Sequence, residues 1–90
     1  MIIEKRIKII NKLGLHARAA AKLVKLSAGF KSIIKLHNGN KQIDAKSIMG
    51  VLMLAAAQGV ELKLIAEGID AEQAAEDIAA LFNDCFGEGE

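Results

Sequence analysis

One short segment, residues 11–20, contains the side chains of this 90-residue chain that are best suited to chemistry. A histidine, His16, follows Gly14 by two residues and precedes Arg18 by two. The apolar pattern that begins at Ala17 predicts a helix, so His16 lies where that helix begins. The first N–H groups of a helix have no intrahelical acceptor and carry partial positive charge. We therefore predict an anion site beside His16.

The residue types around this helix start favour a phosphoryl group as the anion. Imidazole is a nitrogen nucleophile, and with a reference pKa of about 6.5 it is substantially unprotonated near neutral pH. Arg18 adds a fixed cation suited to phosphate oxygens, and the backbone amides of Ala17 and Arg18 would complete the site. A lone histidine is more often a capping or packed residue. The glycine turn, the arginine and the helix start together favour phosphoryl acceptance by His16.

Residues 14–20, with the sequence Gly-Leu-His-Ala-Arg-Ala-Ala, resemble the active-site segment of HPr, the histidine-containing phosphocarrier protein family of the bacterial phosphotransferase system. Residues 44–51 resemble that family's regulatory serine segment, with Ser47 as the serine. Residues 59–86 are similar to its final strand and helix, so the likeness covers essentially the whole chain. Ala19 departs from the family, which usually has proline directly after the arginine.

The resemblance implies a relay of phosphoryl groups. Enzyme I, phosphorylated from phosphoenolpyruvate, would donate to His16, and His16 would pass the group to an enzyme IIA. Arg18 would stabilise the phosphate, Ser47 would be phosphorylated for regulation, and the family uses the Nδ1 atom of its histidine. Further partners would be a serine kinase or phosphorylase and a transcriptional regulator. We expect a carrier without autonomous catalysis, because no glycine-rich nucleotide loop and no paired carboxylates lie near His16 in the sequence.

Two further groups of residues are candidates for partner docking. Lys22 and Lys25 extend the positive face of Arg18 along the helix, either to steer partners or as an ordinary solvated face. The other group lies after Ser47, which is itself a favoured N-cap residue. In helical projection Val51 and Leu54 lie away from an apolar set that the resemblance implies is exposed for docking. The alternative is that this whole set is core: Ile48, Met49 and Leu52.

Composition favours one globular domain, residues 1–90, with 52% hydrophobic and 26% charged residues. A net charge of +1 and three aromatic residues give no support for nucleic-acid binding. Cys85 is the only cysteine, so no intrachain disulfide is possible, and neither a metal site nor another cofactor is indicated. We expect neither a signal peptide nor membrane insertion, because charged residues directly follow the first three and no apolar run is long enough. We expect a cytoplasmic monomer.

The periodicity of the apolar residues predicts a β-α-β-β-α-β-α order. We expect strands at 3–9, from 31 or 32 to about 37, at 41–43 and at 60–67, and helices at 17–28, 48–54 and from 71 to about 85. Gly29 should end the first helix, and Asn38-Gly39 indicates a type I′ hairpin turn. Asp70 with Gln73 is typical of a capping box, and the tail 87–90 should fray. One apolar face per strand favours a two-layer α/β (α+β) sandwich. The resemblance implies an open-faced one, with a four-stranded antiparallel sheet covered on one face by three helices.

Two other functions stay open. A regulatory interaction module, such as a nitrogen-type branch of the same system, would keep His16 and Arg18 while partner proteins read its phosphorylation state. A small-ligand-binding α/β sandwich is the other alternative, which the histidine segment disfavours. His37 is expected on the surface, because it ends a strand and has neither a neighbouring arginine nor a helix start.

Overall fold

Strands and helices follow one another in the expected order in the computed structural model, which describes residues 1–88. The strands are β1 (Ile2–Lys8), β2 (Ile33–Asn38), β3 (Lys41–Asp44) and β4 (Glu61–Glu67). The helices are α1 (Ala17–Ala28), α2 (Ile48–Met53) and α3 (Ala71–Asn83), and α3 is followed by a 3₁₀ turn at Cys85–Gly87. Each element differs from its expected bounds by no more than two residues.

The four strands form one antiparallel sheet in the order β1-β4-β2-β3. β4 is central, since Leu62 pairs with Ile7 of β1 and Leu64 pairs with Leu36 of β2. Alternate residues of a strand point to opposite faces of the sheet. Leu62, Leu64 and Ala66 of β4 are accordingly buried, whereas the residues of its other face are the exposed Glu61, Lys63 and Glu67 and the half-buried Ile65. The helices cover the buried face, which confirms the open-faced sandwich.

The helices bury aliphatic and alanine side chains against that face in a single hydrophobic cluster. α1 contributes Ala19, Ala20 and Leu23, and places its cationic residues on the exposed side. α3 contributes alanines, Ile78 and Phe82. No helix within residues 1–88 is long and apolar enough to cross a membrane.

The hairpin between β2 and β3 differs from the expected type I′ turn. Asn38 pairs with Lys41 as the last residue of β2, so the two loop residues are Gly39 and Asn40. Gly39 has a φ of 61°, whereas Asn40 does not have a positive φ. A type I′ turn needs positive φ at both central residues, while a type II′ turn needs it only at a first-position glycine. The prediction of a type I′ turn centred on Asn38 and Gly39 is therefore wrong. The loop consists of Gly39 and Asn40 and has the φ pattern of a type II′ turn.

The capping box expected at Asp70 and Gln73 is also wrong. Asp70 is the N-cap residue of α3, but its carboxylate accepts no hydrogen bond from its own helix. It accepts instead from the Ser32 hydroxyl and from the N–H groups of Lys31 and Ser32. These donors hold the pKa of Asp70 below its usual value, the Ser32 hydroxyl contributing most. Asp70 thus joins the start of α3 to the start of β2.

The chain reverses direction after α3 instead of fraying at residue 87. Cys85 and Phe86 have φ values of 51° and 55°, in the left-handed region, and Gly87 follows with 75°. This reversal returns the Phe86 ring to the core, where it packs edge-on against Phe82 with a centroid separation of 4.8 Å. It also directs Glu88 back toward α1. Residues 89 and 90 of the expected frayed tail lie outside the described residues.

Candidate functional site

The loop before α1 is held by a close backbone contact with the segment that follows α2. Gly14 has a φ of 64°, and a Cβ there would lie 2.5 Å from the Ala56 carbonyl oxygen. The neighbouring Leu15 N–H donates to that same oxygen at 2.9 Å. Only glycine combines this φ with so near an approach of two backbones. The glycine of the expected turn therefore fixes the loop that carries His16.

His16 is the N-cap residue of α1, with extended backbone angles and a carbonyl that accepts the first helical hydrogen bond, from Ala20. Its side chain makes no capping hydrogen bond. Among residues 1–88, the N–H groups of Ala17 and Arg18 have no hydrogen-bond acceptor. The helix start thus presents an imidazole beside free amide donors, as the sequence predicted.

A surface cleft beside His16 brings three cationic side chains together. Lys12, Arg18 and Lys22 line it along with His16 and Glu88, and Leu13 lies at its rim with an exposed side chain. Lys22 donates to the Phe86 carbonyl at 2.5 Å, which ties its ammonium to the chain reversal after α3. No residue within 1–88 forms an ion pair with Arg18. The cleft therefore has an excess of positive charge and a free guanidinium.

One carboxylate in this cleft contacts the histidine directly. Glu88 Oε2 is hydrogen-bonded to His16 Nε2, and Glu88 Oε1 accepts from Asn11 Nδ2 at 3.3 Å. Asn11 is fully buried, and the same Nδ2 donates to the Gly14 carbonyl at 2.8 Å. The carboxylate is thus held at both oxygens by groups on the loop before α1.

These groups suit a site that binds an anion on or next to the imidazole. A dianion such as a phosphoryl group would find backbone donors at the helix start and the Arg18 guanidinium in the same cleft. Among the residues described, the ring is bonded through Nε2 only, so its Nδ1 atom has no hydrogen-bond partner there.

The family comparison agrees with this geometry. The sequence model described as "PTS HPr component phosphorylation site" matches residues 3–84. The chain belongs to the HPr family. It is 48% identical to phosphocarrier protein HPr of Cupriavidus necator over 89 residues, which are 99% of this chain and the whole of that protein. It is 42% identical to phosphocarrier protein NPr of Shewanella violacea, with 96% and 94% of the two chains covered.

A solved structure has nearly the same backbone as this HPr-family chain. The crystal structure of HPr-C-His from Thermoanaerobacter tengcongensis superposes with a TM-score of 0.93 at 45% sequence identity. The match covers 96% of this chain and 97% of that one. The family and the fold expected from the sequence are both confirmed.

The second expected segment, at α2, is arranged as its helical projection predicted. Ser47 is the N-cap residue of α2, and its Oγ accepts from the Gly50 N–H at 3.1 Å. Val51 and Leu54 are buried in the core. The alternative in which every apolar residue of α2 is core is wrong, because one side of the helix is exposed. We call this exposed set the α2 patch; its members are Ile48, Met49, Leu52 and Met53.

Two other residues considered from the sequence, His37 and Lys25, do not line the His16 cleft. His37 is half-buried on β2, where it pairs with Gln42 and Lys63, and it lines a different cleft with Arg6 and Glu61. Lys25 is exposed in the last turn of α1.

Sequence reasoning assigned no role to three residues at the site, Asn11, Lys12 and Glu88, and missed one member of the α2 patch, Met53. Met53 lies within the predicted helix 48–54 and could have been found by including it in the same helical projection. No local pattern marks Glu88, which reaches His16 only through the fold.

Proposed function

We propose that this HPr-family chain accepts a phosphoryl group on His16 from phosphorylated enzyme I and passes it to enzyme IIA proteins. The observation that carries the proposal is the position of His16 at the start of α1, beside the free amides of Ala17 and Arg18. Arg18 supplies the guanidinium that stabilises the phosphate. We further propose that residues 1–90 act as one domain, as a monomer in the cytoplasm.

The strength of this site suits a carrier that must release its phosphoryl group. A helix terminus stabilises an anion by about 0.3–1 kcal/mol, and by up to roughly 2 kcal/mol in partly buried geometry. Each charge-assisted hydrogen bond adds about 1.5–3 kcal/mol. The His16 side chain retains 26% of its exposure, so solvent screens these interactions in part. A phosphoryl group on His16 is thus stabilised without being trapped.

The proposal is tested by phosphorylation with enzyme I and labelled phosphoenolpyruvate. Wild-type protein should acquire an acid-labile phosphate, and His16→Ala should acquire none. His37→Ala is the matched control, because it removes the other histidine from a separate cleft, and it should be labelled normally. Label on His16→Ala would refute His16 as the acceptor.

A second function is favoured by the similarity to an NPr protein. In that alternative the chain is a regulatory module of a nitrogen-type branch, and partner proteins read its phosphorylation state without sugar uptake. Labelled protein should be incubated with a panel of enzymes IIA. Transfer to a sugar-type enzyme IIA supports the first function, and transfer only to a nitrogen-type one supports the second.

Regulation by phosphorylation of Ser47 belongs to the same proposal. A phosphate at this N-cap is favourable for the helix dipole of α2, so the fold should tolerate it. It would place about −1.5 to −2 charges next to Ile48 and Met49 of the α2 patch. If enzyme I docks on this patch, the new charge must lose solvent or meet repulsion, and transfer to His16 slows. A serine kinase or phosphorylase and a transcriptional regulator are the partners this mechanism needs.

The docking surface proposed for enzyme I and enzyme IIA combines the α2 patch with the cations of α1. Two methionines give the patch flexible side chains that adapt to different partners. Lys25 is exposed and available for steering. Lys22 contributes its charge from a fixed position, since its ammonium is bonded to the Phe86 carbonyl.

A further inference from the structure

The contact between Glu88 and His16 joins a residue beyond the last helix to the proposed phosphoryl acceptor. Both side chains are largely shielded, with 16% and 26% of their exposure remaining. The carboxylate is held from the other side by Asn11, which is itself fully buried and bonded to Gly14. This is a defined arrangement of three side chains and not a surface ion pair between two long exposed residues.

An ionised carboxylate only accepts hydrogen bonds, so a neutral imidazole facing it must carry its proton on the facing nitrogen. In a neutral ring the other nitrogen then holds the lone pair. Glu88 faces Nε2 of His16. We propose that Glu88 is a positioning residue that fixes His16 as the Nε2–H tautomer and thereby directs phosphoryl transfer to Nδ1. This inference rests on the proposed function of His16.

The bonds, electrons and protons of the proposed phosphoryl transfer balance without any further reactant. The Nδ1 lone pair forms the new N–P bond as the N–P bond of the phosphohistidine donor, enzyme I, breaks. The electron pair of that broken bond stays with the donor nitrogen. The Nε2 proton does not move, and the ring gains positive charge as the bond forms. The Glu88 carboxylate lies against Nε2–H and stabilises that charge.

Asn11 makes the charge-neutral variant Glu88→Gln especially informative. The Asn11 Nδ2 is a donor, so it would select the amide oxygen of the new side chain. The amide NH₂ would then face His16 and donate to Nε2, which forces the proton of a neutral ring onto Nδ1. Glu88→Gln should therefore invert the tautomer. Glu88→Ala removes the preference and should leave a mixture.

The first measurement is the ¹⁵N spectrum of the His16 ring in unphosphorylated protein, at about pH 9, well above the reference pKa of about 6.5. Wild-type protein should show protonated Nε2 and unprotonated Nδ1, and Glu88→Gln the reverse. Glu76→Gln is the matched control: it removes an equal charge from an exposed position of α3 and should leave the ring unchanged. A wild-type ring protonated on Nδ1, or ring spectra unaffected by both Glu88 variants, would overturn the inference.

The second measurement is the rate of phosphoryl acceptance from phosphorylated enzyme I. Glu88→Ala should lower the maximal rate about 10-fold, by analogy with the lower end of the cost of removing a partner that orients a metal-bound histidine. Glu88→Gln should be slower still, since its neutral ring lacks a lone pair on Nδ1. KM for enzyme I should not change, whereas general disruption would affect docking too. Maximal rates of both variants within about 2-fold of wild type would contradict a positioning role.

The two proposals fail in different ways. If wild-type His16 accepts no phosphate, the proposed function is refuted, while the ring spectrum still reports whether Glu88 fixes the tautomer. If His16 accepts phosphate but ³¹P spectroscopy places it on Nε2, the carrier function stands and the role of Glu88 is refuted.

Discussion

The close approach at Gly14 allows a quantitative test of what builds the loop before His16. An alanine Cβ at this position would lie 2.5 Å from the Ala56 carbonyl oxygen and 2.9 Å from Ala57 Cα, both backbone atoms. Two costs add in Gly14→Ala. A left-handed non-glycine residue costs roughly 1–2 kcal/mol. Overpacking costs typically about 1–3 kcal/mol. The free energy of unfolding should therefore fall by about 2–5 kcal/mol.

Gly39 supplies the matched control. It has nearly the same φ, 61° against 64°, but a Cβ there would meet no atom within 4 Å. Gly39→Ala should therefore lose only the conformational part, about 1–2 kcal/mol. Urea unfolding of both variants, with the linear extrapolation to water, gives the two free energies. Their difference isolates the contact with the Ala56 and Ala57 backbone.

The same pair of variants tests whether the loop positions His16. Displacement of Ala56 would disturb its hydrogen bond from Leu15, the residue directly before the histidine. Gly14→Ala should therefore slow phosphoryl acceptance even under conditions where it is fully folded, and Gly39→Ala should not. Equal losses of stability in the two variants would refute the packing argument. A normal rate in folded Gly14→Ala would refute its consequence for the site.

Three further predictions concern other helix starts. Donors from Ser32 and Lys31 lower the pKa of Asp70 below 3.8, so its stabilising effect is present above that pH and is lost as pH falls through the lowered value. Urea unfolding should show the deficit of Asp70→Asn shrinking below about pH 4; a deficit independent of pH would contradict this. Ala19 lies in the first turn of α1, and its N–H has no acceptor within residues 1–88. Ala19→Pro should raise the free energy of unfolding by about 0.4–1 kcal/mol with phosphorylation intact, and a clear loss of stability would show an incompatible backbone. Ser47→Asp should fold but accept phosphate from subsaturating enzyme I more slowly than wild type. Ser47→Ala should accept it normally while losing about 0.5–2 kcal/mol of cap stability, and equal rates for Ser47→Asp and wild type would leave Ser47 as a cap alone.

Local patterns predicted those parts of this fold that depend on local physics. The alternation in β4 and the helical spacing in α1 identified their buried faces, because burial imposes a period of two on a strand and 3.6 on a helix. The prediction of a capping box at Asp70 was wrong because its hydrogen bonds depend on residues that are distant in the sequence. Asp70 and Gln73 have the right spacing for a capping box, but Ser32 and Lys31 offer Asp70 three donors from a distant part of the chain. The preference of aspartate for a helix start takes no account of donors that the fold brings from elsewhere in the chain.

Glu88 illustrates the part of the site that no pattern could predict. Its approach to His16 depends on two consecutive non-glycine residues in the left-handed region, Cys85 and Phe86. That conformation costs roughly 1–2 kcal/mol per residue. Burial of the Phe86 ring contributes about 1.5–3 kcal/mol, and its edge-on contact with Phe82 adds about 0.5–1.5 kcal/mol. The conformational cost at Cys85 and Phe86 and the free energy gained by packing the Phe86 ring are of similar size. Packing of one aromatic ring is therefore sufficient to offset the cost of the chain reversal. The residue proposed to select the reactive nitrogen of His16 is therefore placed by core packing at the far end of the chain.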